Sequence, residues 1–190
     1  LFYGRCVIYS VTSHGYNLTF SLPGFNNADF ILGIGGGSPL DASKAIAICA
    51  QNPQYDIDGL YNRKNPSKAL PVILVGTTSG TGSEVTPFAV ISNKAEGRKY
   101  PLADYSLTPT VAICDPEFTT SLPAGVTADT GMDVLTHAIE AYVSVMASDY
   151  TDGLSEKAIE LVFDYLKEAY DNAWSALAGG KTCKLSPKDM

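Results

Sequence analysis

Residues 30–50 hold the feature that most narrows the possible folds. Phe30-Ile31-Leu32-Gly33-Ile34 is a short apolar run without polar alternation, the pattern of a strand buried on both faces. It passes directly into Gly35-Gly36-Gly37-Ser38, and Pro39 then opens a helical pattern that runs to about Ala50. Ser38 suits the helix N-cap, Pro39 the first helical position and Asp41 the acidic partner three residues on. Pro71-Val72-Ile73-Leu74-Val75-Gly76 repeats the theme and ends in the small-residue loop Thr77–Ser83. Cys6–Val11, Phe88–Ile91 and Val111–Cys114 are further strand candidates. Strand, glycine turn, helix, strand is the signature of a parallel α/β sheet.

The periodicity changes after Pro123. From Ala124 to Val145 a helical spacing puts Val134, Leu135, Ala138, Ile139, Tyr142 and Val145 on one face. From Gly153 to Tyr170 the same spacing aligns Leu154, Ala158, Leu161, Val162, Tyr165 and Ala169. The tail from Gly179 to Met190 reads as a polar loop. The expected organisation is an α/β part over residues 1–122 and the start of a helical part over residues 123–190.

Composition removes some function classes. A formal net charge of -7, with Arg98–Lys99 the longest basic cluster, argues against a general nucleic-acid or anionic-membrane binder, because both surfaces repel an acidic chain. Four cysteines without CxxC spacing read as reduced thiols, not as a disulfide framework or zinc ribbon. No apolar run approaches the ~18–20 residues that span a bilayer, and no signal peptide is visible. A cytoplasmic protein is expected. Leu1 is not an initiator methionine, so a piece of a longer chain is expected too.

Three constellations carry chemistry. The glycine turn brings backbone N–H groups to a helix start, where orphan donors and the positive dipole end suit a phosphate. It departs from GxGxxG and lacks a P-loop lysine, so a tight turn that binds nothing stays open. The loop Thr77-Thr78-Ser79-Gly80-Thr81-Gly82-Ser83 follows the next clear strand. In a parallel sheet both loops leave at the carboxyl edge, where ligands bind, although a solvated surface loop reads the same way. Asp133 and His137 stand at i and i+4 on a helix, with Cβ atoms about 6 Å apart. That spacing suits two ligands converging on one divalent cation at about 2.0–2.2 Å, or a plain Asp–His hydrogen bond. The apolar stretch Met132–Tyr142 around them is unusual for an exposed ion pair.

Taken together, Gly35-Gly36-Gly37-Ser38-Pro39-Leu40-Asp41-Ala42-Ser43-Lys44, Thr77-Thr78-Ser79-Gly80-Thr81-Gly82-Ser83-Glu84-Val85-Thr86 and Gly131-Met132-Asp133-Val134-Leu135-Thr136-His137-Ala138-Ile139-Glu140 closely resemble the iron-containing (group III) alcohol dehydrogenases. Lys99-Tyr100-Pro101-Leu102-Ala103-Asp104-Tyr105 and Glu140-Ala141-Tyr142-Val143-Ser144 are most similar to the branch that includes the alcohol dehydrogenase half of bifunctional aldehyde/alcohol dehydrogenases. The resemblance covers about residues 29 to 170. It implies a Rossmann-like dinucleotide-binding domain with a parallel sheet, followed by the start of an all-helical, metal-binding domain. This is the dehydroquinate synthase-like architecture, here truncated, with the active site in the cleft between the domains.

By that resemblance Gly36, Gly37, Ser38 and Asp41 hold the pyrophosphate of NAD or NADP, and Thr77, Thr78 and Thr81 line the nicotinamide and ribose. Lys99 matches a lysine that contacts the cofactor, while Asp133 and His137 match the first two of four ligands to Fe(II), with Zn possible. The mechanism the resemblance implies is that a bound metal would supply Lewis-acid polarisation of a primary alcohol, with hydride passing from the carbinol carbon to the nicotinamide. No acid–base side chain is assigned. The implied partners are a small alcohol or aldehyde, with no nucleic acid or membrane, and the whole protein is expected to be a homo-oligomer. Two further histidine ligands are expected beyond His137, yet the only other histidine is His14, upstream, which reads as a loop residue. Two alternatives therefore stand beside an active dehydrogenase: a catalytically incomplete dinucleotide-binding or assembly module, and a zinc-dependent polyol dehydrogenase of the same fold.

Overall fold

A computed structural model describes residues 6–10, 28–52, 57–62, 68–93 and 96–179. The readings of His14 and of the tail beyond Gly179 fall outside these residues. In chain order the elements are β1 (Cys6–Ser10), β2 (Phe30–Gly35), α1 (Gly37–Gln51), α2 (Ile57–Tyr61), β3 (Val72–Gly76), β4 (Phe88–Asn93), β5 (Arg98–Ala103), β6 (Val111–Ile113), α3 (Ala124–Tyr142) and α4 (Asp149–Gly179). Short 3-10 turns occupy Tyr105–Leu107 and Pro116–Thr119. The chain divides into two compact units, residues 1–77 with 82–114 and residues 78–81 with 115–190.

In the first unit the apolar runs become a parallel sheet in the order β1-β2-β3-β6. Helix α1 is buried nearly all round, as expected for a helix apolar on more than one face. Leu40, Ile46 and Ala47 join Ile31, Leu70, Val72 and Leu74 in one core cluster. Ala45, Ile48 and Cys49 join Leu60, Ala89, Ile91, Tyr100, Leu102 and Leu107 in the other. Each large aliphatic side chain so buried contributes about 1.5–3 kcal/mol.

The Phe88–Ile91 strand exists but lies outside the parallel sheet. β4 pairs antiparallel with β5, from Phe88 opposite Ala103 to Asn93 opposite Arg98. The physical reason is its alternation: Ala89 and Ile91 are buried while Phe88 and Val90 are exposed. One wet face and one dry face belong to an antiparallel ribbon, whereas a central parallel strand is covered on both. Tyr100 anchors the ribbon; its ring is buried edge-on to Tyr61, centroids 5.6 Å apart.

In the second unit α3 and α4 pack against each other, with Leu166 lying over Gly131. α3 stops at Tyr142, short of Val145, and α4 starts at Asp149, ahead of Gly153. A reciprocal pair at the start of α4 explains its early beginning. Ser148 N donates to Thr151 Oγ1 at 2.8 Å and Thr151 N to Ser148 Oγ at 3.4 Å, the geometry of a capping box. Of the residues read as one face of α3, Ala138 is buried and Val134 and Leu135 are half-buried. Ile139 and Tyr142 remain largely exposed.

Candidate functional site

Gly35 pairs with Gly76 at the ends of β2 and β3, so both loops leave the sheet side by side at its carboxyl edge. Thr77 N donates to Gly35 O at 2.9 Å, which ties the start of the second loop to the glycine turn. Gly35 itself needs to be glycine. Its φ is +149°, and a Cβ there would stand 2.7 Å from Pro39 Cγ.

The helix start differs from the sequence expectation. The N-cap is Gly36, in extended conformation, and no side chain caps the helix. Ser38 and Pro39 therefore lie inside the first turn, and Asp41 is not the acidic member of a capping box. With the cap two residues earlier, Asp41 sits farther along α1 and turns to other partners. Its Oδ1 accepts from Ser83 Oγ at 2.5 Å and its Oδ2 from Val90 N at 2.8 Å. The consequence for chemistry is favourable to an anion: the helix start presents glycine backbone and the positive dipole end with no capping side chain in the way. This fits a pyrophosphate.

Thr77, Thr78 and Thr81 are half-buried, while Ser83 is buried. Within the second unit the tip of this loop meets α3. A Cβ on Gly80 would come within 2.8 Å of Thr130 O and 2.9 Å of Thr130 Cβ. Thr130 precedes Asp133 by three residues, about one helical turn. Lys99 lies exposed on β5, opposite Ser92, in the ribbon of the first unit.

Asp133 and His137 do converge. Asp133 Oδ1 and His137 Nε2 are 3.7 Å apart, with side chains 40% and 53% exposed. Two donors at ~2.1 Å from one ion, at octahedral or tetrahedral angles, stand ~3.0–3.4 Å from each other. A small side-chain rotation closes that difference, so an oxygen and an imidazole nitrogen suited to Fe(II) or Zn(II) can share one ion. As a donor set it falls short of the three protein ligands a catalytic ion usually takes: among the described residues no group of three His, Cys, Asp or Glu side chains comes together.

Sequence reasoning missed Lys44. It is fully buried, yet its Nζ donates to Phe88 O at 2.7 Å, to Thr86 O at 3.1 Å and to Thr86 Oγ1 at 3.4 Å. Burial pushes its pKa down, and the neighbouring Asp41 and Glu84 carboxylates pull it back up. The available signal was a lysine three residues from an aspartate inside an otherwise apolar helix; its partners, 42 and 44 residues away, were beyond local pattern.

A parallel sheet with an uncapped glycine turn and a small-residue loop at the same edge define a Rossmann-like class of protein, followed here by a helix that carries a carboxylate–imidazole pair. Comparison with known proteins makes the class specific. The profile described as iron-containing alcohol dehydrogenase matches residues 24–116, and that of the C-terminal part of the Fe-containing alcohol dehydrogenase family matches residues 127–183. An aldehyde-alcohol dehydrogenase of Streptococcus pneumoniae is 56% identical over 156 residues, covering 76% of this chain and 18% of that protein. A crystal structure of an iron-containing alcohol dehydrogenase from Thermotoga maritima matches with a TM-score of 0.72 and 36% identity, over 76% of this chain and 39% of that one. A sulfoacetaldehyde reductase from Bifidobacterium kashiwanohense, solved in complex with NAD+, matches with a TM-score of 0.71 and 39% identity, over 80% of this chain and 40% of that one. The chain belongs to the iron-containing alcohol dehydrogenase family. It spans well under half the length of these relatives.

Proposed function

We propose that this chain carries the dinucleotide-holding part and half of the metal-holding part of an oxidoreductase that interconverts a primary alcohol and an aldehyde with NAD(P). Residues 1–122 serve as the dinucleotide-binding domain and residues 123–190 as the metal-binding helical domain, in a whole protein that is a cytoplasmic homo-oligomer. The observation that carries the reading is the approach of Gly80 to Thr130, which sets the loop tip, residues 78–81, against the helix bearing Asp133 and His137.

Each group has a role that its position supports. The backbone of Gly36, Gly37 and Ser38 receives the pyrophosphate through N–H donors and the helix dipole. Thr77, Thr78 and Thr81 offer hydroxyls to the ribose and nicotinamide amide without steric bulk, and Lys99 offers a cation to the cofactor. Asp133 and His137 would hold the divalent ion, Fe(II) or Zn(II), which when bound supplies Lewis-acid polarisation of the substrate oxygen. What the chain itself contributes is orientation: a nicotinamide fixed by the loop gains the proximity that hydride transfer requires.

A second reading, binding without turnover, is favoured by the presence of only two converging metal donors among the described residues. One assay separates the two. The purified chain is supplied with Fe(II) or Zn(II), NAD+ and ethanol or butanol, and NADH absorbance is followed. Turnover that Asp133→Ala abolishes is expected for the enzyme. NADH binding with no turnover under either metal would instead establish the binding module.

A further inference from the structure

We propose that Asp41 and Lys44 are positioning residues that fasten the far end of the loop after β3, and the start of β4, to α1. They thereby hold the glycine turn and the two ends of the hydroxylated loop, Thr77 and Ser83, as one cofactor-binding edge. This rests on the dinucleotide reading above.

The geometry is a two-residue clamp one turn into the helix. The Lys44 ammonium has three donors, and three acceptors surround it: Thr86 O, Thr86 Oγ1 and Phe88 O. A buried cation is tolerated only when so satisfied, and Asp41 Oδ1 lies 3.7 Å away as its counter-charge. Asp41, on the same face of α1, reaches the same segment with one oxygen on Ser83 Oγ and the other on Val90 N. The loop is thus fixed at both ends. Thr77 is held by Gly35 O, and Ser83, Thr86, Phe88 and Val90 are held by α1.

Charge argues for the same role. A free carboxylate near a helix start that receives an anion would repel it. With Lys44 beside it and both oxygens accepting hydrogen bonds, Asp41 is muted and internally committed. It serves the cofactor through the loop it holds.

The test uses the full chain as wild type, Asp41→Asn, Lys44→Met, Ser83→Ala and the Asp41→Asn/Ser83→Ala double variant. Ser83→Ala removes one hydroxyl only and keeps the question answerable if the helix variants fail to fold. Amide exchange without cofactor should accelerate across residues 77–90 and stay unchanged in β2 and β3. The Kd for NADH should rise about tenfold, the cost of losing a hydrogen bond to a charged group. The fluorescence anisotropy of bound nicotinamide should fall, because the ring is held less firmly. The Asp41 and Ser83 effects should be non-additive, since both break one link. Lost affinity with unchanged exchange would make Asp41 a direct ligand and overturn the clamp. Faster exchange with unaltered affinity and anisotropy would reduce it to fold maintenance and overturn it too. A wild-type chain that does not bind NADH overturns the cofactor reading, and with it the clamp's service to a cofactor. Additive variant effects or exchange unchanged at 77–90 would then dismiss the clamp itself.

Discussion

Gly80 is where a single atom decides most. Its backbone lies so close to Thr130 that an added Cβ would meet main-chain oxygen at 2.8 Å, and backbone cannot yield as a side-chain tip can. Gly80→Ala should therefore destabilise the second unit by about 1–3 kcal/mol, the usual cost of overpacking. Chemical denaturation followed by circular dichroism measures this; an unchanged midpoint would mean that the loop tip does not rest on α3. Neighbouring residues show why chemistry at this scale is only partly legible in sequence. Asp133 and His137 could be paired from the i, i+4 spacing because a helix fixes their geometry. Asp41 also stood out, but its actual partners, Ser83 and Val90, lie 42 and 49 residues away. Only the folded chain brings such groups together.

Among the elements, α1 links fold to function. Its start is capped by glycine backbone alone, so the proposed anion site is created by what the sequence leaves out. Gly37→Asp tests this. An aspartate in the first turn favours the helix by about 0.3–1 kcal/mol while placing negative charge where a pyrophosphate would lie. The expected outcome is an unchanged or raised melting temperature together with NADH binding weakened by at least about tenfold, the equivalent of ~1.4 kcal/mol. Equal affinity in both proteins would move the phosphate away from this turn. β2, β3 and α1 could be read in advance because continuous apolar runs and glycines punctuate them. β5 could not: Arg98, Lys99 and the central Pro101 carry no strand pattern, and Pro removes a ladder donor. A short ribbon tolerates it by pairing along one edge only. α2, at five residues, is too brief for helical periodicity to register.

For the whole molecule, the acidic net charge of -7 disfavours general binding to a polyanion. Among the described residues no helix is long and apolar enough to cross a membrane. Family membership unites the two units: one profile falls on the sheet and ribbon, the other on the helices. The proposed activity is hydride transfer between an alcohol carbon and a nicotinamide, and isotope transfer measures it. The chain, supplied with Fe(II) or Zn(II), is incubated with NAD+ and an alcohol deuterated at the carbinol carbon, and the reduced cofactor is weighed by mass spectrometry. Deuterium in the NADH formed, absent when Asp133 or His137 is replaced by alanine, is the expected result. Reduced cofactor carrying no deuterium, or none formed although NADH binds, would contradict it.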